Sequence, residues 1–225
     1  MTRKKQLGAD VLGVTTEYQG FLSIRRYEID ADRHDGGRQR VVRFIMERGH
    51  AVGVLAYDPL KDQVVLINEM RAGVLAAGGA PFADALIAGT VEEHEHPLEA
   101  ARRETREEAG LELRDARIIH ERAYVSPGGS SEYLTLIAGI VTAPEHETFE
   151  GNPAEGEDIR TSLLTPRRLM SAIKRGEIND MKTMLAAYWL TANRARLRHE
   201  HGATRSVAAG DATAHRGGEG DVQVL

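Results

Sequence analysis

Glu104, Glu107 and Glu108 lie within the segment GTVEEHEHPLEAARRETREEAGL, residues 89–111, at a spacing that lets three carboxylates act together. Pro97 suits a first helical position, Glu99 suits a capping glutamate, and Gly110 is a natural residue just past a helix end. The spacing therefore predicts a helix over Pro97–Ala109. On that helix Leu98, Ala101, Thr105 and Ala109 make a narrow apolar stripe that must face a core, while Arg102 and Arg106 project to water. Glu104 and Glu108 fall on one edge of the stripe, one turn apart, with Glu107 just beyond. Two carboxylates about 5–6 Å apart repel by roughly 3 kcal/mol at an effective dielectric near 20. Arg103 can pair with Glu107 at i,i+4, which leaves Glu104 and Glu108 without a helix partner at that spacing. Hard divalent cations favour carboxylate oxygens, and Mg²⁺ commonly binds one or two carboxylates together with substrate phosphate. An arbitrary Glu/Arg-rich helix is more often a solvated face laced with salt bridges. Here the glycine at each end and the fixed intervals between favour a metal site.

Those intervals are Gly89, Glu95 after five residues, Arg103 and Glu104 after seven more, then Glu107, Glu108, Gly110 and Leu111. This resembles the Nudix box. Eight of its nine fixed positions match, with Thr105 where an aliphatic residue is usual. At ordinary residue frequencies the Gly, Glu and Arg positions would coincide less than about once in 10^7 starts. The resemblance implies a metal-dependent hydrolase of nucleoside diphosphates linked to another group, built on the Nudix α/β/α sandwich.

The chain has 225 residues, with 29 basic and 34 acidic side chains for a net charge of −5. One domain with an extension is the natural expectation at that length. No broad cationic surface advertises nucleic acid. There is no cysteine, hence neither a disulfide framework nor a thiolate metal site. The start, MTRKKQLGAD, lacks the apolar stretch of a secretory signal, and no segment reaches the apolar length of a membrane span. A soluble cytoplasmic protein, with neither membrane nor nucleic acid as partner, is the expectation.

Three regions follow from the pattern. In residues 1–47, Phe21–Ile29 and Val41–Met46 flank the turn signal Asp35-Gly36-Gly37, which reads as a β-hairpin extension. Residues 48–200 alternate strands (Ala51–Tyr57, Gln63–Glu69, Ala85–Ala88, Arg117–Val125, Tyr133–Val141, Ile159–Leu164) with helices (Pro97–Ala109, Pro166–Arg175, Asp180–Arg196). The last helix carries Met184, Leu185, Tyr188 and Trp189 at core spacing. That order is α/β, a mixed sheet between helices. Residues 201–225 are rich in Gly, Ala, Thr and charge and read as a disordered tail. A two-stranded hairpin is marginal alone in water, so the extension needs another surface, and the resemblance suggests a second subunit of a homodimer.

Beyond the box, ERGHAVGVLAYDP, VVLINEMR, SPGGSSE and GEDIR look like the ADP-ribose pyrophosphatase branch of the family, over roughly residues 17–195. That branch has a proline sixteen residues past the box, and Pro127 stands sixteen past Leu111. The resemblance implies Glu104, Glu107, Glu108 and the Ala88 carbonyl as ligands of Mg²⁺, or Mn²⁺ in its place. It places Glu155 and Glu157 as a catalytic base and a further ligand, in either order, with Glu107 also catalytic. Arg71, Arg48 and the turn Pro127-Gly128-Gly129 would contact a nucleoside diphosphate sugar, and Phe21 or Leu22 would stack on its base. Surface salt bridging is the plainer role for Arg71, a purely structural role for Arg48, and a tight turn for the Pro-Gly-Gly segment. His94 and His96 flank Glu95 but read as exposed loop residues. Ala85 stands where the branch usually carries a glutamate. The implied reaction cleaves ADP-ribose to AMP and ribose 5-phosphate. GDP-mannose is the nearest rival substrate, because GEINDMKT and the SPGG turn resemble that relative too. A nucleotide-sensing module without catalysis would have no reason to keep the repulsive glutamate trio.

Overall fold

The structure is a computed structural model that describes residues 7–152 and 156–202. Its main sheet owes its form to alternation. Along β4 (Ala51–Asp58), Leu55 and Tyr57 point to one face while Val52, Val54 and Ala56 point to the other. β5 (Gln63–Met70) repeats the pattern, Val64 and Leu66 against Val65 and Ile67. A strand that is apolar on both sides must be covered on both sides. α2 (Pro97–Ala109) covers one face with Ala100, Ala101 and Ala109. α3 (Pro166–Arg175) and α4 (Met181–Glu200) cover the other with Leu169, Ala172, Ala186, Leu190 and Leu197. The result is the expected α/β/α sandwich.

The other strands of this sheet are β6 (Phe82–Ala85), β7 (Ile87–Thr90), β8 (Arg114–Tyr124), β9 (Tyr133–Ile140), β10 (Phe149–Glu150) and β11 (Ile159–Leu164), and a short helix α1 (Ala72–Ala76) follows β5. The order is β10-β11-β5-β4-β9-β8, with β6 paired to β5 and β7 paired to β4. β4 and β9 run parallel, and the other pairs are antiparallel. The single strand expected at Ala85–Ala88 is therefore two. They part at Leu86, whose N–H goes to the Thr183 hydroxyl at 2.9 Å instead of to a neighbouring strand.

The N-terminal extension differs from the expected hairpin. It is a three-stranded antiparallel sheet of β1 (Ala9–Gln19), β2 (Ser23–Asp32) and β3 (Arg38–Glu47). Arg38 joins the strands: its guanidinium reaches Asp10 at 2.5 Å, Asp30 at 2.7 Å and Asp32 at 3.0 Å. β1 was missed because its alternation is exposed, so no apolar face announced it. α4 also corrects the sequence reading. Its inward residues are Thr183, Ala186, Ala187, Leu190 and Leu197, whereas Leu185 and Tyr188 face outward. Small alanines let the helix lie close to the sheet, so volume and not hydrophobicity chose the face. The expected tail after His201 and Gly202 lies outside the described residues. No helix among the described residues is long and apolar enough to cross a membrane.

Candidate active site

A cavity of about 820 Å³ opens where β4 and β9 begin and β7 ends, between the C-terminal half of α2 on one face of the sheet and the start of α4 on the other. Its wall includes Glu104, Glu107 and Glu108 from α2, Ala88 and Gly89 from β7, and Glu69 and Arg71 at the end of β5. Arg48 enters between β3 and β4, Glu132 ahead of β9, Glu157 from the loop before β11, and Asp180 and Lys182 at the start of α4.

Local chemistry delivers the carboxylates. The His96 imidazole accepts the Leu98 N–H at 3.2 Å and Glu99 accepts the His96 N–H at 3.3 Å, so α2 starts capped. Gly110 ends it in the left-handed conformation at φ 64°. Between these caps Thr105 is wholly buried, its hydroxyl donating to the Ala101 carbonyl at 2.6 Å, so the unusual residue of the box satisfies itself within the helix. The helix then presents Glu104 and Glu108 inward and leaves Glu107 half exposed.

Glu108 is only 4% exposed and accepts the Ala88 N–H at 3.0 Å. Burial pushes its carboxyl up to about 8, helped by the Glu104 and Glu69 charges and opposed by the Ala88 N–H and Arg71. Burial also raises Glu104, with Arg103 working against it. Arg103 is the organiser of this corner. It donates to Glu104 at 2.6 Å, to Glu107 at 3.2 Å, to Glu95 at 3.1 and 3.0 Å, and to the Thr90 carbonyl at 2.9 Å. Glu104 thus has a partner that i,i+4 spacing did not foresee, its own chain neighbour. Glu108 has no salt bridge among the described residues.

All the donors facing the cavity from α2, β5 and the loop are hard oxygens, and two of the carboxylates are desolvated, which suits Mg²⁺ or Mn²⁺. Among the described residues no three Asp, Glu or His side chains are already gathered about one point. Arg103 instead lies among the carboxylates as their resident cation. The fit to a divalent ion rests on the donor chemistry and on Glu108, a buried acid without a cationic partner.

The other expected residues divide. Arg71 lines the cavity, pairs with Glu69, and keeps a buried Nη2 without a hydrogen-bond partner. Arg48 lines it too, 3.9 Å from Glu132. Glu157 lines it and accepts the Asn152 N–H at 3.1 Å, while Glu155 lies outside the described residues. Pro127, Gly128 and Gly129 are not among the lining residues. Their turn is stitched to the extension instead: the Met46 N–H donates to the Gly129 carbonyl at 2.9 Å and the Ser131 N–H to the Met46 carbonyl at 3.2 Å. Phe21 is 96% exposed and does not line the cavity of its own chain. His94 is exposed, and His96 caps the helix.

Among the charged residues of the cavity, Glu69, Glu92, Glu132, Asp180 and Lys182 were given no role by the sequence reading. Glu69 had a signal, since it stands two residues before Arg71 and so shares its face of an extended chain. Glu132 and the Asp180–Lys182 pair lie in SPGGSSE and GEINDMKT, segments that carry a resemblance, but nothing local placed them in the cavity, because their sites are made by strand pairing and helix docking.

Comparison with known proteins agrees with this geometry. A family model described as NUDIX domain matches residues 47–188. A protein named ADP-ribose pyrophosphatase from Escherichia coli K12 is 32% identical over 192 residues, covering 85% of this chain and 91% of its own length. Its namesake from Haemophilus influenzae is 32% identical over 198 residues, covering 86% and 90%. A protein named GDP-mannose pyrophosphatase from Escherichia coli O1:K1 is 28% identical over 170 residues, covering 76% and 88%. A crystal structure of an ADP compounds hydrolase superposes with a TM-score of 0.62 at 20% identity, over 82% of this chain and 95% of that one, a likeness of fold.

Proposed function

We propose that this chain, which belongs to the NUDIX family, hydrolyses the pyrophosphate bond of ADP-ribose to AMP and ribose 5-phosphate. It is a Nudix pyrophosphohydrolase of the nucleoside diphosphate sugar class, and ADP-ribose is the finer reading. The observation that carries it is one cavity in which Glu104 and Glu108 of the box face the same space as Arg48 and Arg71. Glu104, Glu107, Glu108, Glu157 and the Ala88 carbonyl would hold Mg²⁺ or Mn²⁺, which would supply Lewis-acid chemistry for water attack and for charge on the leaving phosphate. Arg71 lines the cavity and holds phosphate oxygens, a task that a guanidinium fork suits. Arg48 adds a second positive contact. Of the loop glutamates Glu155 and Glu157, one takes the proton from the attacking water and the other completes the ligand set. With its carboxyl pushed up to about 8 by burial, Glu108 holds a proton in the metal-free protein, and a bound cation would displace that proton, which couples its ionisation to metal loading.

GDP-mannose is the second reading, favoured by the relatives named GDP-mannose pyrophosphatase that match 76% of the chain. The working unit we propose is a cytoplasmic homodimer, its contact made where Val11, Phe21, Val42 and Phe44 lie exposed on the extension. In the dimer the extension, Phe21 and the Pro127-Gly128-Gly129 turn help to complete the nucleotide site. Comparing kcat/KM for ADP-ribose, GDP-mannose and NADH, with chromatographic identification of products, tests the reading. ADP-ribose is expected to lead and to give AMP. A preference for GDP-mannose would replace the first reading by the second, and full activity in excess EDTA would remove both.

A further inference from the structure

We infer that Asp180 and Lys182 form a neutral pair that contacts the hydroxyl groups of the sugar carried beyond the diphosphate. The inference rests on the proposed nucleoside diphosphate sugar chemistry and names the residues that read its sugar end.

Asp180 caps α4. Its Oδ2 accepts the Thr183 N–H at 3.1 Å and the Thr183 hydroxyl at 2.5 Å, and it pairs with the Lys182 ammonium at 3.1 Å. The same Thr183 hydroxyl accepts the Leu86 N–H, which ties the first turn of α4 to the strand that runs into Ala88 and Gly89. Lys182 is thereby held at a set distance from the catalytic corner.

Its stem runs into the cavity beside Gly53 of β4. A β-carbon on Gly53 would lie in ordinary contact with the Lys182 Cδ at 3.7 Å and too close to a Leu136 methyl at 2.9 Å, so the lysine stem passes alongside Gly53 while the glycine makes room for Leu136. The side chain is 15% exposed, and it enters from the α4 face of the sheet, whereas Glu104, Glu107 and Glu108 enter from the α2 face. Helix stability does not explain this placement. A cation in the first turn of a helix opposes the macrodipole, and the cap needs only Asp180.

Pairing decides the ligand. An ammonium bound to a carboxylate is neutral as a unit, so it is a weak partner for a phosphate dianion. It still presents two N–H donors beside carboxylate acceptors, the combination that matches vicinal hydroxyls. Phosphate charge is met on the other side by Arg71 and Arg48, and the sugar is the part left to meet the α4 side.

The test compares the wild-type protein with Lys182→Gln and Lys182→Arg, after circular dichroism and ligand-free melting show both folded. ADP, which has the diphosphate but no second sugar, is the probe that separates the two ends. Lys182→Gln is expected to raise KM for the best sugar nucleotide about tenfold with kcat changed less than about twofold. The inhibition constant of ADP stays unchanged, and Lys182→Arg recovers part of the loss. In EDTA, the melting shift caused by the sugar nucleotide shrinks while the shift caused by ADP remains. Equal weakening of ADP would make Lys182 a phosphate contact and overturn the inference, as would unchanged KM in Lys182→Gln. A wild-type protein that cleaves no nucleoside diphosphate sugar would instead overturn the function proposed above.

Discussion

Glu104 rests its carboxylate on the α-carbon of Gly89, so closely that a β-carbon there would overlap it. The first glycine of the box and its central glutamate, fifteen residues apart, are thus two halves of one contact. The glycine is needed for space and not for an unusual backbone angle, since Gly89 does not take a positive φ.

Gly89→Ala should therefore displace Glu104 and leave the fold intact, because the residue sits on the cavity rim. We expect kcat/KM to fall at least about 10²-fold with a higher Mg²⁺ requirement. A metal titration of activity alongside a circular dichroism spectrum checks both halves. Wild-type activity in this variant would mean that Glu104 is not a ligand.

Glu108→Gln should reduce turnover at least about 10²-fold, and it carries a pH signature as well. The Glu108 carboxyl is pushed up to about 8 in the fold, above its ordinary 4.5, so the folded state holds a proton that the unfolded chain has released. Stability of the metal-free protein must then fall as pH rises from about 4.5 to about 8, by on the order of a few kcal/mol. Glutamine cannot ionise and escapes the loss. In EDTA the variant should melt roughly 5 °C or more above wild type near pH 8.5, with the gap closing near pH 5. Added Mg²⁺ should stabilise the wild type and not the variant. Parallel melting curves across this range would show that Glu108 is not a buried acid.

Glu157→Gln tests the loop. If Glu157 is the base, kcat falls about 10²-fold while KM stays near wild type, because the lost interaction matters mainly in the transition state. If it is the ligand, excess Mg²⁺ recovers part of the activity and Glu155→Gln shows the kcat loss instead. Wild-type kcat in both variants would place the base elsewhere.

Val42 and Phe44, alternate residues of β3, are 41% and 58% exposed in a single chain. Phe44→Asp should convert a dimer to a monomer in sedimentation analysis at micromolar concentration. It should also weaken ADP-ribose binding, since β3 leads directly into Arg48 and is clamped by the Met46 hydrogen bonds to the Gly129 turn. A wild-type protein that sediments as a monomer with normal activity would remove the dimer from the mechanism.

The elements that could be read directly are those whose signals are local. α2 spans Pro97–Ala109 and α3 spans Pro166–Arg175, both as expected, because proline, capping side chains and the terminal glycine act within a few residues. The box carboxylates were equally plain, since one helix fixes their mutual spacing. β1 stayed hidden because its exposed residues carry no periodic apolar face, and the outward turn of Leu185 and Tyr188 depended on how close alanines let α4 approach.

The cavity itself belonged to the tertiary structure. Arg103 could be assigned to Glu107 from helical spacing, but its bonds to Glu95, Glu104 and the Thr90 carbonyl depend on how β7 and the following loop lie against α2. Lys182 meets Gly53 only because α4 docks across β4, and Glu132 meets Arg48 only because the segment leading into β9 runs beside the one leading into β4. A sequence by itself determines periodicity and end signals, which act between neighbours along the chain. Which side chains share one desolvated space is decided by strand order and helix docking, whose energies arise between residues far apart in sequence.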